Sequence, residues 1–467
     1  MARILIVVPN RATFVTAWCY EYALLNSSQG HQVFFLDLAK IESRYLSRPW
    51  TWKIDNSLEK NNIRNILPSV CELSGVRFLN IDKGAISHFE SDVEMYEHFE
   101  LCLRSTYAQL YGGFGIDVNE ISPAIKSMEE NSYLLASAIV MTSIRKHQID
   151  HVVTVNGRGI IDGASIYSAK RSNCTFTMLE KVSENWNYYS CMKISSQSPS
   201  EVYGQILSQS EKLETNSKDE SDIDRYFARR QSPENVYARD QSMEMEFRPE
   251  RMGYVVFFPT SDYEFSTFDS REEVPAGSFQ DQADAFRALA DLCLRENLSL
   301  VIRVHPHSKD SSLLRYENAY WRALASVYGS EVIESENPLK SLSLASNAVL
   351  SVTHNSSIGA ELIYEGLPLL ITGPTSYGGF FPELLALNKI ELSSKFKRGQ
   401  FPLDKARLKP WVNFMMNGQH RLQHFSMNSF DHVTHQGILL NSNRVGASAF
   451  FELARRFRFW RQLPFKN

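Results

Sequence analysis

The sequence predicts an α/β protein built of two doubly wound, Rossmann-like domains, and three observations carry that expectation. Short apolar runs alternate with amphipathic stretches in both halves of the chain, as in parallel sheets with helical crossovers. A polar span at 191–250, dominated by Ser, Gln, Glu, Asp and Lys with prolines at 199, 233 and 249, separates the halves. The chain has 467 residues, more than one hydrophobic core usually serves. The expected division is a first domain at 1–190, a linker at 191–250, a second domain at 251–445 and a basic aromatic helix at 446–467.

In the first half, residues 3–9 read as a buried strand, and 16–25 show helical spacing through Trp18, Tyr22 and Leu25 before Gly30 stops the helix. Residues 31–36 form the next strand, completing a βαβ unit. The stretch 43–130 is mainly helical and aromatic, without a diagnostic pattern. An amphipathic helix follows at 133–146, then a strand at 151–155 that ends in Asn156-Gly157-Arg158, and another at 175–179 that ends at Glu180.

The second half restarts with the apolar strand 254–258, which ends at Pro259-Thr260-Ser261. A helix at 280–296 places Ala283, Phe286, Leu289, Ala290 and Cys293 on one face. The alternation continues with a strand at 298–304 ending in His305-Pro306, a helix at 313–328, a strand at 332–333 and a short helix at 338–344. The strand 348–352 runs into Thr353-His354-Asn355-Ser356-Ser357, and a helix to Tyr364 is closed by Gly366 and Pro368. The strand 369–372 ends at Gly373-Pro374. In such sheets ligands bind beyond the carboxyl ends of the strands. The polar clusters of this half all fall there: Thr260-Ser261, His305, Asn355 to Ser357, and Gly373 to Gly379.

Composition narrows the function classes. An apolar share of 43% and a charged share of 22% are those of a globular protein, and a net charge of -4 without a long basic stripe argues against nucleic acid as principal partner. The first residues form too short an apolar run for a signal peptide, and no stretch has the length of a membrane span, so a cytoplasmic location is expected. The six cysteines show no Cys-x-x-Cys spacing and read as reduced thiols, so no structural metal site is expected. The run Arg455-Arg456-Phe457-Arg458-Phe459-Trp460-Arg461 either lies on an anionic inner-membrane surface as a peripheral contact or packs back with its arginines solvated.

The candidate chemistry follows from side-chain type and place. Asn355, Ser356 and Ser357 precede a helix, where they either cap it or offer hydroxyl donors to a phosphate. Pro306 fixes the turn that aims His305, and Arg303 lies on the same strand. A protonated histidine there would stabilise a leaving phosphate, and the pairing of His-Pro with the serines favours that over a plain turn. Tyr263-Glu264-Phe265 either lines a cleft or covers the core.

Arg303-Val304-His305-Pro306, then Ser351-Val352-Thr353-His354-Asn355-Ser356-Ser357-Ile358-Gly359 with Glu361, then Glu365-Gly366-Leu367-Pro368 and Gly373 with Tyr377, resemble the C-terminal motifs of capsule polysaccharide biosynthesis glycosyltransferases. That family includes transferases of the acidic sugar Kdo and is similar to bacterial sialyltransferases; both have the two-Rossmann GT-B fold, with sheets facing a central cleft. The resemblance covers about residues 254–382. It implies that His305 assists the leaving phosphate, that Ser356 and Ser357 bind it, and that Glu361 points to the ribose or base. Thr260, Ser261, Arg303, Pro306, Asn355 and Tyr377 complete the implied donor side.

In the first half, Asn156, Arg158 and Glu180 resemble the Asn-Gly-Arg and glutamate features of the family's acceptor domain. Asp162-Gly163 is placed like a sialyltransferase base, but Ile161 stands where that pattern has an acid, so Asp162 is either the base or a helix-capping or solvated aspartate, and Glu180 is the other candidate base. The implied activity is metal-independent and cofactor-free transfer of a sugar from a nucleotide donor, first a CMP-linked acidic sugar such as Kdo, to a capsule or other surface glycan or its lipid-linked precursor. The alternatives are a UDP- or GDP-sugar transferase or sugar-nucleotide epimerase on the same fold, and a non-catalytic binding or assembly protein.

Overall fold

The computed structural model describes residues 1–10, 12–42, 71–72, 74–81, 92–111, 121–182, 188–194, 198–213, 221–232, 241, 253–260, 277–305, 314–398, 403–429, 432–435 and 438–439. The chain divides into two compact units, Met1–Thr106 with Ile116–Ser196 and Asn417–Asn467, and Tyr107–Gly115 with Gln197–Met416.

The first unit begins with β1 (Arg3–Val8), α1 (Thr13–Ser28), β2 (Gln32–Asp37) and β3 (Arg77–Leu79). Helices α2 (Val93–Tyr111) and α3 (Pro123–His147) follow, then β4 (His151–Val155), α4 (Ile160–Arg171), β5 (Thr175–Glu180) and β6 (Tyr188–Met192). Pro123 supplies the preset φ that starts α3, and Gln148 ends it in a left-handed conformation at φ 52°. The strands pair in the order β3-β2-β1-β4-β5, all parallel, with β6 antiparallel at the edge beyond β5. This is the Rossmann order, wound outward in both directions from the first strand. Continuous apolar strands are what a sheet covered on both faces requires, and β1 buries Ile4, Leu5, Ile6, Val7 and Val8.

The second unit starts with α5 (Pro199–Leu213) and α6 (Ser221–Gln231). It continues through β7 (Tyr254–Phe258), α7 (Gln282–Arg295), β8 (Ser299–Arg303), α8 (Leu314–Tyr328), β9 (Glu331–Ile333) and α9 (Ser341–Ser346). The remaining elements are β10 (Leu350–Thr353), α10 (Ile358–Tyr364), β11 (Leu369–Ile371), α11 (Lys389–Arg398) and α12 (Lys409–Asn417). Its sheet is parallel throughout and runs β9-β8-β7-β10-β11, the same order as in the first unit. Helix α7 is started by Asp281, whose carboxylate accepts the Asp284 N–H at 2.7 Å. Its apolar face joins Val255 and Phe257 of β7, Ile302 of β8 and Trp321 of α8 in one core. Each such large side chain contributes roughly 1.5–3 kcal/mol on burial.

Two features differ from the expected division. The span 191–250 contains α5 and α6, which belong to the second unit. Polar composition suggests a linker, but an amphipathic helix needs only a narrow stripe, and α6 buries Ile223, Tyr226 and Phe227. The chain then returns to the first unit through β12 (His420–Arg421), β13 (Phe425–Ser429), β14 (His432–His435) and β15 (Ile438–Leu439). Strand β12 extends the first sheet antiparallel to β6, and Leu422, Phe425, Met427 and Val433 enter the first core. The expected helix at 446–467, Ser261, Pro306 and residues 263–265 lie outside the described residues.

Candidate functional sites at the switch points

A parallel sheet wound outward from its first strand leaves a crevice at the carboxyl ends where the winding reverses. In the second unit that point lies between β7 and β10, and in the first between β1 and β4. Five non-glycine residues have positive φ among the described residues. Gln148, Asn173 and Asn297 follow helices, the ordinary place for such residues. The other two, Asn156 at φ 68° and Asn355 at φ 57°, occupy strand-to-helix turns after β4 and β10. Both switch points are thus built on an asparagine in the left-handed region, where a short amide side chain is tolerated and functional turns concentrate.

At the second unit's switch point, Thr260 follows β7 and is buried, its N–H donating to Gln282 Oε1 at 3.1 Å. Across it, β10 leads into His354, Asn355, Ser356 and Ser357; Ser356 is buried and Ser357 exposed. His305 follows β8, on the other side of β7, and is half-buried. Adjacent strands lie about 4.8 Å apart, so Thr260, His305 and the 354–357 turn share one rim of the sheet. His354, which composition did not single out, sits within hydrogen-bonding distance of Thr372 Oγ1 at 3.3 Å. Burial pulls its imidazole down to about 4, so it is neutral at pH 7.

Three residues expected on the donor side make contacts inside the unit. Arg303 is buried and donates to the carbonyls of Glu334, Asn337 and Leu339. A guanidinium committed to three carbonyls holds a loop, and burial lowers its pKa to about 10. Tyr377 is likewise buried, and its hydroxyl donates to the Ser356 carbonyl at 2.6 Å from behind the turn. Gly359 is required there, because a Cβ at that position would collide with the Tyr377 hydroxyl. Glu361, expected near the ribose or base, binds Arg230 of α6 through Oε1, at 2.9 Å from Nε and 2.8 Å from Nη2. Arg230 Nη2 also donates to Ser357 Oγ at 3.2 Å.

At the first unit's switch point the polar groups form a chain. Arg158 Nε donates to Asn156 Oδ1 at 2.7 Å, and Asn156 Nδ2 donates to Glu180 Oε2 at 3.1 Å. The Lys181 N–H holds the other carboxylate oxygen at 3.0 Å. Gly157 continues the left-handed turn at φ 84°, and a Cβ there would strike Met178 and Ile166. Asn10, beyond β1 on the other side of the crevice, was not singled out in the sequence; its Oδ1 accepts the Ala12 N–H at 3.0 Å. Asp162 caps its own helix. Its buried carboxylate accepts the Gly159 N–H at 3.0 Å at the start of α4. Burial holds its pKa above the ordinary range, against backbone N–H groups that pull it down.

The fold is that of two Rossmann-like units in one chain. No protein-family model matches the sequence, and no curated protein matches it. Among solved structures the chain is similar to the KpsC beta Kdo 2,4 transferase of Thermosulfurimonas dismutans, at 14% identity over 56% of this chain and 79% of that one, with a TM-score of 0.35. It is also similar to UDP-GlcNAc 2-epimerase from Neisseria meningitidis bound to UDP-GlcNAc, at 12% identity over 97% of this chain and 100% of that one, TM-score 0.28. The calicheamicin glycosyltransferase CalG4 matches at 12% identity over 89% and 93%, TM-score 0.22. Likenesses this distant assign no activity, and the functional reading rests on the site itself.

Among the described residues no group of three or more His, Cys, Asp or Glu side chains is placed to hold a metal ion. Nor is any described helix long and apolar enough to cross a membrane.

Proposed function

We propose that this chain is a glycosyltransferase that takes a sugar from a nucleotide donor, first a CMP-linked acidic sugar, and delivers it to a capsule or other surface glycan. The observation that carries the reading is the pair of switch-point turns built on Asn156 and Asn355, with a carboxylate at one and hydroxyls at the other. Sugar transfer needs both chemistries, a base for the acceptor hydroxyl and donors for the charge that builds on the leaving phosphate.

In this reading Ser356, Ser357 and Thr260 face the phosphate, and His305 in its protonated form stabilises the leaving group. Thr260 and the 354–357 turn flank one crevice, which supports the assignment. Glu180 is the acceptor base. The Arg158–Asn156–Glu180 chain orients its carboxylate, whereas Asp162 is occupied as a cap. The reaction needs no metal here, since hydroxyls and imidazole meet the phosphate charge.

The test is thermal stabilisation by CMP, UDP and GDP of the wild-type protein and of His305→Ala. A ligand that binds only the folded state stabilises it by RT ln(1 + [L]/Kd), about 2.7 kcal/mol at a hundred times Kd. One nucleotide is expected to raise the unfolding temperature, and less so in the variant. A response to UDP or GDP alone transfers the reading to those donors, and a response to none of the three sinks it.

A further inference from the structure

Helix α6 lies in a span whose composition reads as a linker, yet it is seated along α10. Phe227 stacks on Tyr364 with ring centroids 4.4 Å apart, the Tyr364 hydroxyl donates to Asp224 Oδ1 at 2.8 Å, and Gln231 Nε2 donates to Glu365 Oε1 at 2.8 Å. These contacts deliver Arg230 to the 354–357 turn. Its side chain and that of Glu361 are each only 14% exposed. A guanidinium has no acceptor, so in the 3.2 Å contact with Ser357 the serine oxygen must accept. The serine proton is therefore turned to another acceptor, and the charged donor polarises the hydroxyl that carries it.

We propose that Arg230 is a positioning residue for the donor phosphate. It holds the Ser357 oxygen as an acceptor and so aims the Ser357 hydroxyl at a phosphate oxygen, while Glu361 holds the guanidinium through Oε1. The proposal rests on reading the 354–357 turn as the donor site. Because Arg230 and Glu361 neutralise each other, the contribution is directional: it sets the serine's proton and adds no net charge. The ligand class is a nucleoside phosphate, and the nucleoside alone does not draw on this contact.

The experiment measures, by calorimetry, the affinity of CMP, UDP or GDP and of the matching nucleoside for the full-length protein and for Arg230→Gln, Arg230→Lys, Ser357→Ala and the double variant R230Q/S357A. Arg230→Gln is expected to weaken the nucleotide about tenfold and leave the nucleoside unchanged, with Arg230→Lys in between. Ser357→Ala should do the same as Arg230→Gln, and the double variant no worse than Ser357→Ala, since the arginine acts through the serine. If Arg230→Gln does not fold, Arg230→Lys carries the cycle. Equal losses for nucleotide and nucleoside, additive losses in the double variant, or an unchanged nucleotide affinity in Arg230→Gln would each overturn the proposal. Should Ser357→Ala weaken the nucleotide while Arg230→Gln does not, the donor site stands and Arg230 is excluded. Absence of binding to the wild type removes the donor site itself.

Discussion

Asp162 and Glu180 are both carboxylates beside the first unit's switch point, and their surroundings give them different work. The Asp162 carboxylate is closed over the Gly159 N–H and buried, and its raised pKa means that the folded state favours the acid form. Its contribution to stability is therefore complete below the ordinary 3.8 and lost as pH rises through the raised value. Asp162→Asn keeps an acceptor for Gly159 and removes the buried charge, so at pH 7 it should fold at least as stably as wild type. Asp162→Ala loses the cap and should cost about 1 kcal/mol. Neither is expected to reduce the turnover of the folded protein. Glu180→Gln should lower kcat at least about a hundredfold and leave nucleotide affinity unchanged. Urea unfolding curves and initial rates check the set, and a rate loss in Asp162→Asn equal to that in Glu180→Gln would return the base assignment to Asp162.

The element that ties the chain's end to its beginning is α1. Glu21 is buried on α1, and one carboxylate oxygen accepts the backbone N–H groups of Gln423, His424 and Phe425 while the other lies 2.9 Å from His424 Nδ1. Tyr20 packs edge-on against Phe425 with centroids 5.7 Å apart. Three backbone donors on one carboxylate are a strong local anchor, because each loses its partner at once if the carboxylate goes. Glu21→Ala should cost about 3 kcal/mol and speed hydrogen exchange at the amides of 423–425 ahead of those in β1. Exchange in which those amides stay as protected as in wild type would show that the packing of Phe425 alone holds the segment.

At the scale of the molecule, three imidazoles are stored neutral. Burial holds His98 of α2, His151 of β4 and His354 beyond β10 at about 4, below their ordinary 6.5. Between those values the unfolded chain binds more protons than the native one, so stability is complete above 6.5 and is lost as pH falls toward about 4. Thermal midpoints should therefore decline from pH 6.5 downward, and His151→Gln should flatten part of that decline by removing one proton acceptor. A midpoint flat from pH 7 to 4 would contradict the burial of these rings.

The amino-acid sequence by itself determined the two-sheet architecture and the place of the polar clusters. Runs such as Val255 to Phe258 are apolar on both faces and so specify buried parallel strands, and the residues after them necessarily fall on the carboxyl rim. The turn at Asn355 was legible for that reason, and so were Asn156 beyond β4 and Glu180 at the carboxyl end of β5. What the tertiary structure decided are contacts between residues far apart in the chain. Arg230 and Glu361 are 131 positions apart, and Glu21 and His424 are 403 apart, so no local period records either pair. The same holds for Arg303, whose carbonyl acceptors at Glu334, Asn337 and Leu339 lie 31, 34 and 36 positions away. Periodicity reports which face of an element is buried, but the partner of a buried polar group is chosen only when the elements pack.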